Sequence, residues 1–327
     1  MPVHEAVSSR FPLLDGITSA DEFFNNPELA ERRRDFDAYP EYEVPEVGVR
    51  TASAPGPHGE VPVRVYTPDA AGPEAGSQPG PGLVWMHGGA FLGGSVDMPE
   101  ADWVARELAL RARAVVVSVD YRLAVGGVTY PVPHDDVVAA VRWVRDHGLT
   151  LGIDPEQVYA GGASAGANLA TGAALKLRDE DQWQPRHLVL AYPGMHPVNP
   201  PPSAALAARM AEVPALLRFP AETISAVMEN YLGGPVSRAD GYAMPSRAEL
   251  AELCPTLVLN AEYDDLRPSG EAFCAALALA GVDVHQMNVK GMLHGFLNLP
   301  ATIEPVGAAL DTIAGILRTD VKGRIAA

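Results

Sequence analysis

Residues 157–177 read QVYAGGASAGANLATGAALKL, and this stretch decides the fold. QVYAGG has the composition of a strand, and ASAGANLATGAALKLRDE that of a helix. The turn between them is Gly162-Ala163-Ser164-Ala165-Gly166. A serine at such a strand-to-helix turn is held in a strained conformation that projects its hydroxyl above the sheet. Side chains in place of the flanking glycines would collide with neighbouring backbone. The helix start adds a favourable dipole and free N–H groups, which suit a developing negative charge. Five residues alone carry little information; the strand before them and the helix after them give the pattern its weight.

Working outward, the same alternation runs along most of the chain. GLVWMH, AVVVSVDY, HLVLAYP, TLVLNAEYDD and VDVHQMNV read as apolar strands. Helices are expected near 99–113, over HDDVVAAVRWVRDHG with Val137, Val141 and Val144 on one face, up to Ala280, and near 301–318. Apolar strands alternating with helices predict an α/β fold, a mostly parallel sheet covered on both faces. Before it, EVGVRTAS and VPVRVYTP flank Gly56-Pro57-His58-Gly59 as a hairpin, and 70–82 reads as a Gly/Pro surface linker. The alternation stops in 197–245, a helical segment with several prolines and no strand candidate, which reads as a lid. The polar, broken 1–45 is an arm that such a lid would combine with. The core then comprises 46–196 and 246–327.

A serine hydroxyl needs a base, itself oriented by a carboxylate. Of nine histidines, His294 in GMLHGF follows the last expected strand and precedes the last helix. It fits the chain order Ser…Asp…His of this architecture. His285 and His187 lie in or beside strands, His134 and His147 bracket a helix where capping explains them, and His4, His58 and His196 lie in loops. Asp264 ends the strand TLVLNAEY, where sites sit on such sheets, with Asp265 its rival and Glu262 less well placed. After GLVWMH comes His87-Gly88-Gly89-Ala90-Phe91. The N–H groups of Gly88 and Gly89, with that of Ala165, are the expected donors to a tetrahedral oxyanion, and His87 is expected to fix the loop by hydrogen bonding.

The formal charge of −17 argues against a nucleic acid or an anionic membrane as partner. No run of 18 apolar residues appears, and the N-terminus lacks a basic start followed by an apolar stretch, so no membrane span or secretory signal is expected and a cytoplasmic location is. Cys254 and Cys274 are too few for a disulfide framework and lack metal-ligand spacing; both read as buried apolar residues. The chemistry calls for no metal or organic cofactor. Leu206, Met210, Leu216, Leu217, Phe219, Met228 and Tyr231 make the lid apolar, which suits a small uncharged ester.

Five ordered blocks, HGGAF, YRLA, GASAGANLA, AEYDDLR and GMLHGF, resemble the bacterial hormone-sensitive-lipase-like group of α/β-hydrolases over about residues 60–318. The resemblance implies an eight-stranded sheet with a helical cap and esterase activity on short-to-medium acyl esters. It assigns the nucleophile to Ser164, the acid to Asp264, the base to His294 and the oxyanion hole to Gly88, Gly89 and Ala165, and it allows a homodimer. The chain departs from the group at Ala163, where Asp is usual, in VGGVTYPVPHDD after YRLA, and in YDDLRPS. The same triad would serve an amide, N-acetyl or lactone hydrolase. A ligand-binding relative without catalysis, such as the plant gibberellin receptor, lacks the histidine that His294 supplies here.

Overall fold

The computed structural model describes residues 2–39, 42–69 and 78–318. Its centre is one eight-stranded sheet: β1 (Gly48–Ala54), β2 (Val61–Thr67), β3 (Gly80–Met86), β4 (Val115–Val119), β5 (Ile153–Ala163), β6 (Leu188–Ala191), β7 (Thr256–Tyr263) and β8 (Val284–Leu293). The spatial order is β1-β2-β4-β3-β5-β6-β7-β8. β1 and β2 form the antiparallel hairpin, β2 runs antiparallel to β4, and every later pairing is parallel. Strand order reverses beside β3, so the loops after β3 and β5 open to opposite sides of a crevice at the carboxyl ends of the strands. Ligands bind at such a crevice in open sheets of this kind.

Period-2 side-chain alternation divides the core in two. Val84 and Met86 of β3 face one layer; Leu83 and Trp85 face the other. The first layer holds α5 (Val132–Leu151), α6 (Ala165–Asp181) and α9 (Arg267–Leu279), and the second α4 (Pro99–Ala112) and α10 (Glu304–Leu317). Val137, Val141 and Val144 of α5 are at most 1% exposed. Each contributes about 1.5–3 kcal/mol by burial, so the predicted stripe is what docks α5 on the sheet. Cys254 and Cys274 are likewise buried and unpaired. Among the described residues no helix is long and apolar enough to cross a membrane.

The arm carries α1 (Glu5–Ser8), α2 (Ala20–Asn25) and α3 (Ala30–Asp37); the 197–245 segment carries α7 (Ala204–Met210) and α8 (Ala221–Leu232). They meet over the sheet: Leu206, Met210 and Val213 bury themselves with Tyr263 and Leu293, and Val3, Val7 and Phe11 pack on that cluster. The His4 N–H donates to the Gly291 carbonyl (2.9 Å), tying the arm to the end of β8. Beyond Leu232 the segment leaves the crevice, and Ala239, Ala243 and Met244 join the α6 side of the main core. Most of the expected Gly/Pro linker, 70–77, lies outside the described residues. His134 and His147 are not caps. Both sit inside α5, His134 fully buried between Tyr130 and Tyr242, and His147 donating to the Trp143 carbonyl one turn back (2.9 Å).

Candidate active site

Ser164 sits between β5 and α6 with φ 52° and ψ −115°, a region L-residues avoid. Two constraints hold it there. Its N–H donates to the Ala191 carbonyl of β6 (2.8 Å), and the glycines on either side let backbone close around it. A Cβ on Gly166 would lie 2.3 Å from the Met86 oxygen and 2.4 Å from that of His87; one on Gly162 would lie 2.6 Å from the Met86 oxygen. The Gly-x-Ser-x-Gly pattern is therefore a packing requirement between β3, β5 and α6.

His294 follows β8, and Asp264 follows β7. His294 Nε2 lies 3.0 Å from Ser164 Oγ, and its Nδ1 lies 2.8 Å from Asp264 Oδ2. Asp264, 1% exposed, also accepts the Leu266 N–H on Oδ1 (2.8 Å), so both carboxylate oxygens are engaged. Burial alone would lower the imidazole pKa, but the Asp264 carboxylate outweighs it, helped by Glu100 and Asp265, and the result lies above the ordinary value.

The rival acids have other partners. Asp265 receives a two-pronged bond from the Arg218 guanidinium (both 3.0 Å) and the Phe219 N–H (2.8 Å). That clamp fixes Phe219, whose ring meets His294 edge-on at 4.9 Å. Glu262 accepts the Gly291 N–H and pairs with Arg209 and Lys290.

The glycine loop needs one correction. The Gly88 N–H is already donated to the Glu100 carboxylate (2.6 Å), so it does not serve the crevice. Gly89, Ala90 and Ala165 instead line the cavity beside Ser164. Among the described residues the N–H groups of Gly89 and Ala90 reach no protein acceptor, and Ala165 opens α6, where first-turn N–H groups lack helical partners. His87 sets the orientation. It is buried, which depresses its pKa and keeps the ring neutral, and its Nδ1–H donates to the Gly88 carbonyl (2.6 Å). In a trans peptide C=O and N–H point oppositely, so that bond aims the Gly89 N–H the other way. The preceding peptide is held at both ends, by Tyr121 O–H on the His87 carbonyl (2.8 Å) and by Glu100 on the Gly88 N–H.

Glu100, Tyr192 and Asn298 escaped the reading of the sequence. Glu100 is 2% exposed, and Oε2 accepts both the Tyr192 O–H (2.7 Å) and the Asn298 amide (3.1 Å). In the sequence it is an acidic residue in the first turn of a helix, which the dipole alone explains. Tyr192 did carry a signal, ending the strand HLVLA at the side where sites form. Ala90 carries no such signal, because in sequence a glycine marks an unhindered donor whereas every non-proline residue has an N–H.

The cavity has a volume of about 200 Å³, and Phe91, Ile224, Val227, Met228 and Leu266 make its walls apolar. The family described as alpha/beta hydrolase fold matches residues 83–298. Esterase LipI of Mycobacterium tuberculosis is 32% identical over 323 residues, 97% of this chain and 94% of that protein. Carboxylesterase NlhH of the same organism is 34% identical, covering 94% of this chain and 93% of its own. A hyperthermophilic esterase from the archaeon Pyrobaculum calidifontis superposes with a TM-score of 0.73 at 32% identity, over 84% of this chain and 86% of its own. Glycine loop, serine turn and the order Ser164, Asp264, His294 thus occur on the matching fold over nearly the whole length, and the chain belongs to the hormone-sensitive-lipase-like group of the α/β-hydrolase family.

Proposed function

We propose that the protein is a serine carboxylesterase that hydrolyses short-to-medium acyl esters of uncharged character through an acyl-enzyme on Ser164. The observation that carries this reading is the unbroken chain Asp264–His294–Ser164, with links of 2.8 and 3.0 Å, ending at an apolar cavity beside unbonded backbone N–H groups. Ser164 Oγ attacks the ester carbonyl while His294 Nε2 takes its proton, and Asp264 stabilises the imidazolium. The negative charge forming on the carbonyl oxygen is met by Gly89, Ala90 and Ala165, each such donor being worth about 3–4 kcal/mol. His294 returns the proton to the departing alkoxide, and water repeats the sequence on the acyl-enzyme. Relatives named esterase or carboxylesterase across nearly the full chain favour the ester over the amide.

The test pairs turnover of p-nitrophenyl butyrate with labelling by a fluorophosphonate. Ser164→Ala is expected to abolish the label and lower kcat by about 10⁴–10⁶-fold. Turnover that survives the substitution would put the nucleophile elsewhere.

A further inference from the structure

The imidazole of His294 stands between two cavities. The smaller, about 200 Å³, contains Ser164 and the unbonded N–H groups. The larger, about 580 Å³, touches neither Ser164 nor those groups, but shares Met98, His294, Gly295 and Asn298 with the first as a common wall. It is bounded by the arm (Phe36, Tyr39), α4 (Trp103), the lid (Leu217) and the residues flanking His294 (Leu293, Phe296).

Proton transfer assigns the two halves of an ester to these spaces. With its oxygen at Gly89, Ala90 and Ala165 and its carbon against Ser164 Oγ, the carbonyl has two remaining substituents. The alkoxy oxygen must be the one facing His294, because that imidazole gives it a proton as it leaves. The alcohol therefore extends past His294 into the larger space, and the acyl chain stays in the smaller one. The acyl side is closed by Phe91, which is 1% exposed and stacked on the buried Tyr231 at 3.9 Å. The alcohol side presents several aromatic faces. Its charged side chains are Arg10 and Asp37. Arg10 is committed to the Phe36 and Ala38 carbonyls and lies over the Tyr39 ring at 3.6 Å, and the Asp37 carboxylate is in the field of Arg10 and Arg33, so the two charges answer each other rather than selecting a charged ligand.

The geometry points to esters that join a small acid, acetate to butyrate, to a bulky, uncharged, aromatic alcohol as the preferred substrate class. This rests on Ser164 being the acylated residue. Naphthylmethyl acetate and methyl naphthylacetate are isomers that carry the same ring on opposite sides of the ester, with alkyl leaving groups in both. The former is expected to have a kcat/KM about 100-fold higher. Trp103→Ala is expected to reduce that ratio by about tenfold. Phe36→Leu, a smaller change on the arm, should reduce it in the same direction and serves if the tryptophan variant does not fold. Equal rates, or a preference for the naphthylacetate, with Ser164 still labelled by fluorophosphonate would overturn the chamber assignment alone. Failure of both turnover and labelling would take the nucleophile reading down with it.

Discussion

Replacing Glu100 with Gln tests whether the buried carboxylate supports the oxyanion loop or merely fills space. Its three donors, the Gly88 N–H, the Tyr192 O–H and the Asn298 amide, are all neutral, and they share two oxygens. A glutamine offers one oxygen and one amino group. If the oxygen keeps Gly88, the amino group faces the Asn298 amide, donor against donor. Asn298 is held from flipping because its Oδ1 accepts the Glu100 N–H (3.2 Å). At least one bond is lost, and the others lose their charge assistance, worth about 1.5–3 kcal/mol for a bond to an ionised group. If that loss reaches the transition state through Gly89 and Ala90, kcat falls about 10–100-fold with KM little changed. The acid limb of the pH profile should also move down, since Glu100 is one of the charges that raise the His294 pKa. There is an opposing effect: a carboxylate this close to a forming oxyanion repels it. Steady-state kinetics of Glu100→Gln across pH decides between them, and a variant with equal or higher kcat and an unmoved limb refutes the supporting role.

The proposed mechanism uses His294 as a neutral base; with its pKa raised, the acid limb of kcat/KM in the unmodified enzyme is expected above pH 6.5, and a limb below it contradicts the Asp264 contact. Asp264→Asn keeps the shape but not the charge, and kcat is expected to drop about 10⁴-fold while the melting temperature stays close to the parent's. Burial pushes the Cys254 and Cys274 thiols up to about 12, so a disulfide reagent at pH 8 should find no reactive thiol in the native protein and two after denaturation.

The fold was legible because β3, β4, β6 and β7 are buried along nearly their whole length and the helices carry one apolar stripe, so periodicity separates them cleanly. That Ser164, Asp264 and His294 would meet was legible for a related reason: each follows the carboxyl end of a strand, and chain order lines them up. What escaped depends on distance in three dimensions. Glu100 is buried only because α4 starts beneath the glycine loop and 198 residues of chain return to lay Asn298 against it. Gly88 looked like a donor to the site because a sequence shows which peptides are unhindered, not which acceptor lies behind them. The last part of the expected lid, around Ala239 and Met244, has the composition of a cap but finds a better apolar surface on α6.

The site is also where local preference and function conflict, and Ser164 allows the conflict to be measured. At φ 52° and ψ −115° a residue with a Cβ is strained by about 1–3 kcal/mol, whereas glycine is not. Ser164→Ala and Ser164→Gly both remove the hydroxyl and its bond to His294, so that loss cancels between them. What differs is the strain relieved by glycine, less about 0.5–1 kcal/mol for its greater freedom in the unfolded chain. The glycine variant is therefore expected to be the more stable of the two inactive proteins by about 1 kcal/mol, a melting shift of about 1–2 °C for a chain this long. Equal stability, or a more stable alanine variant, would mean that the backbone at the nucleophile is relaxed and that the glycines around it, not strain, account for the turn.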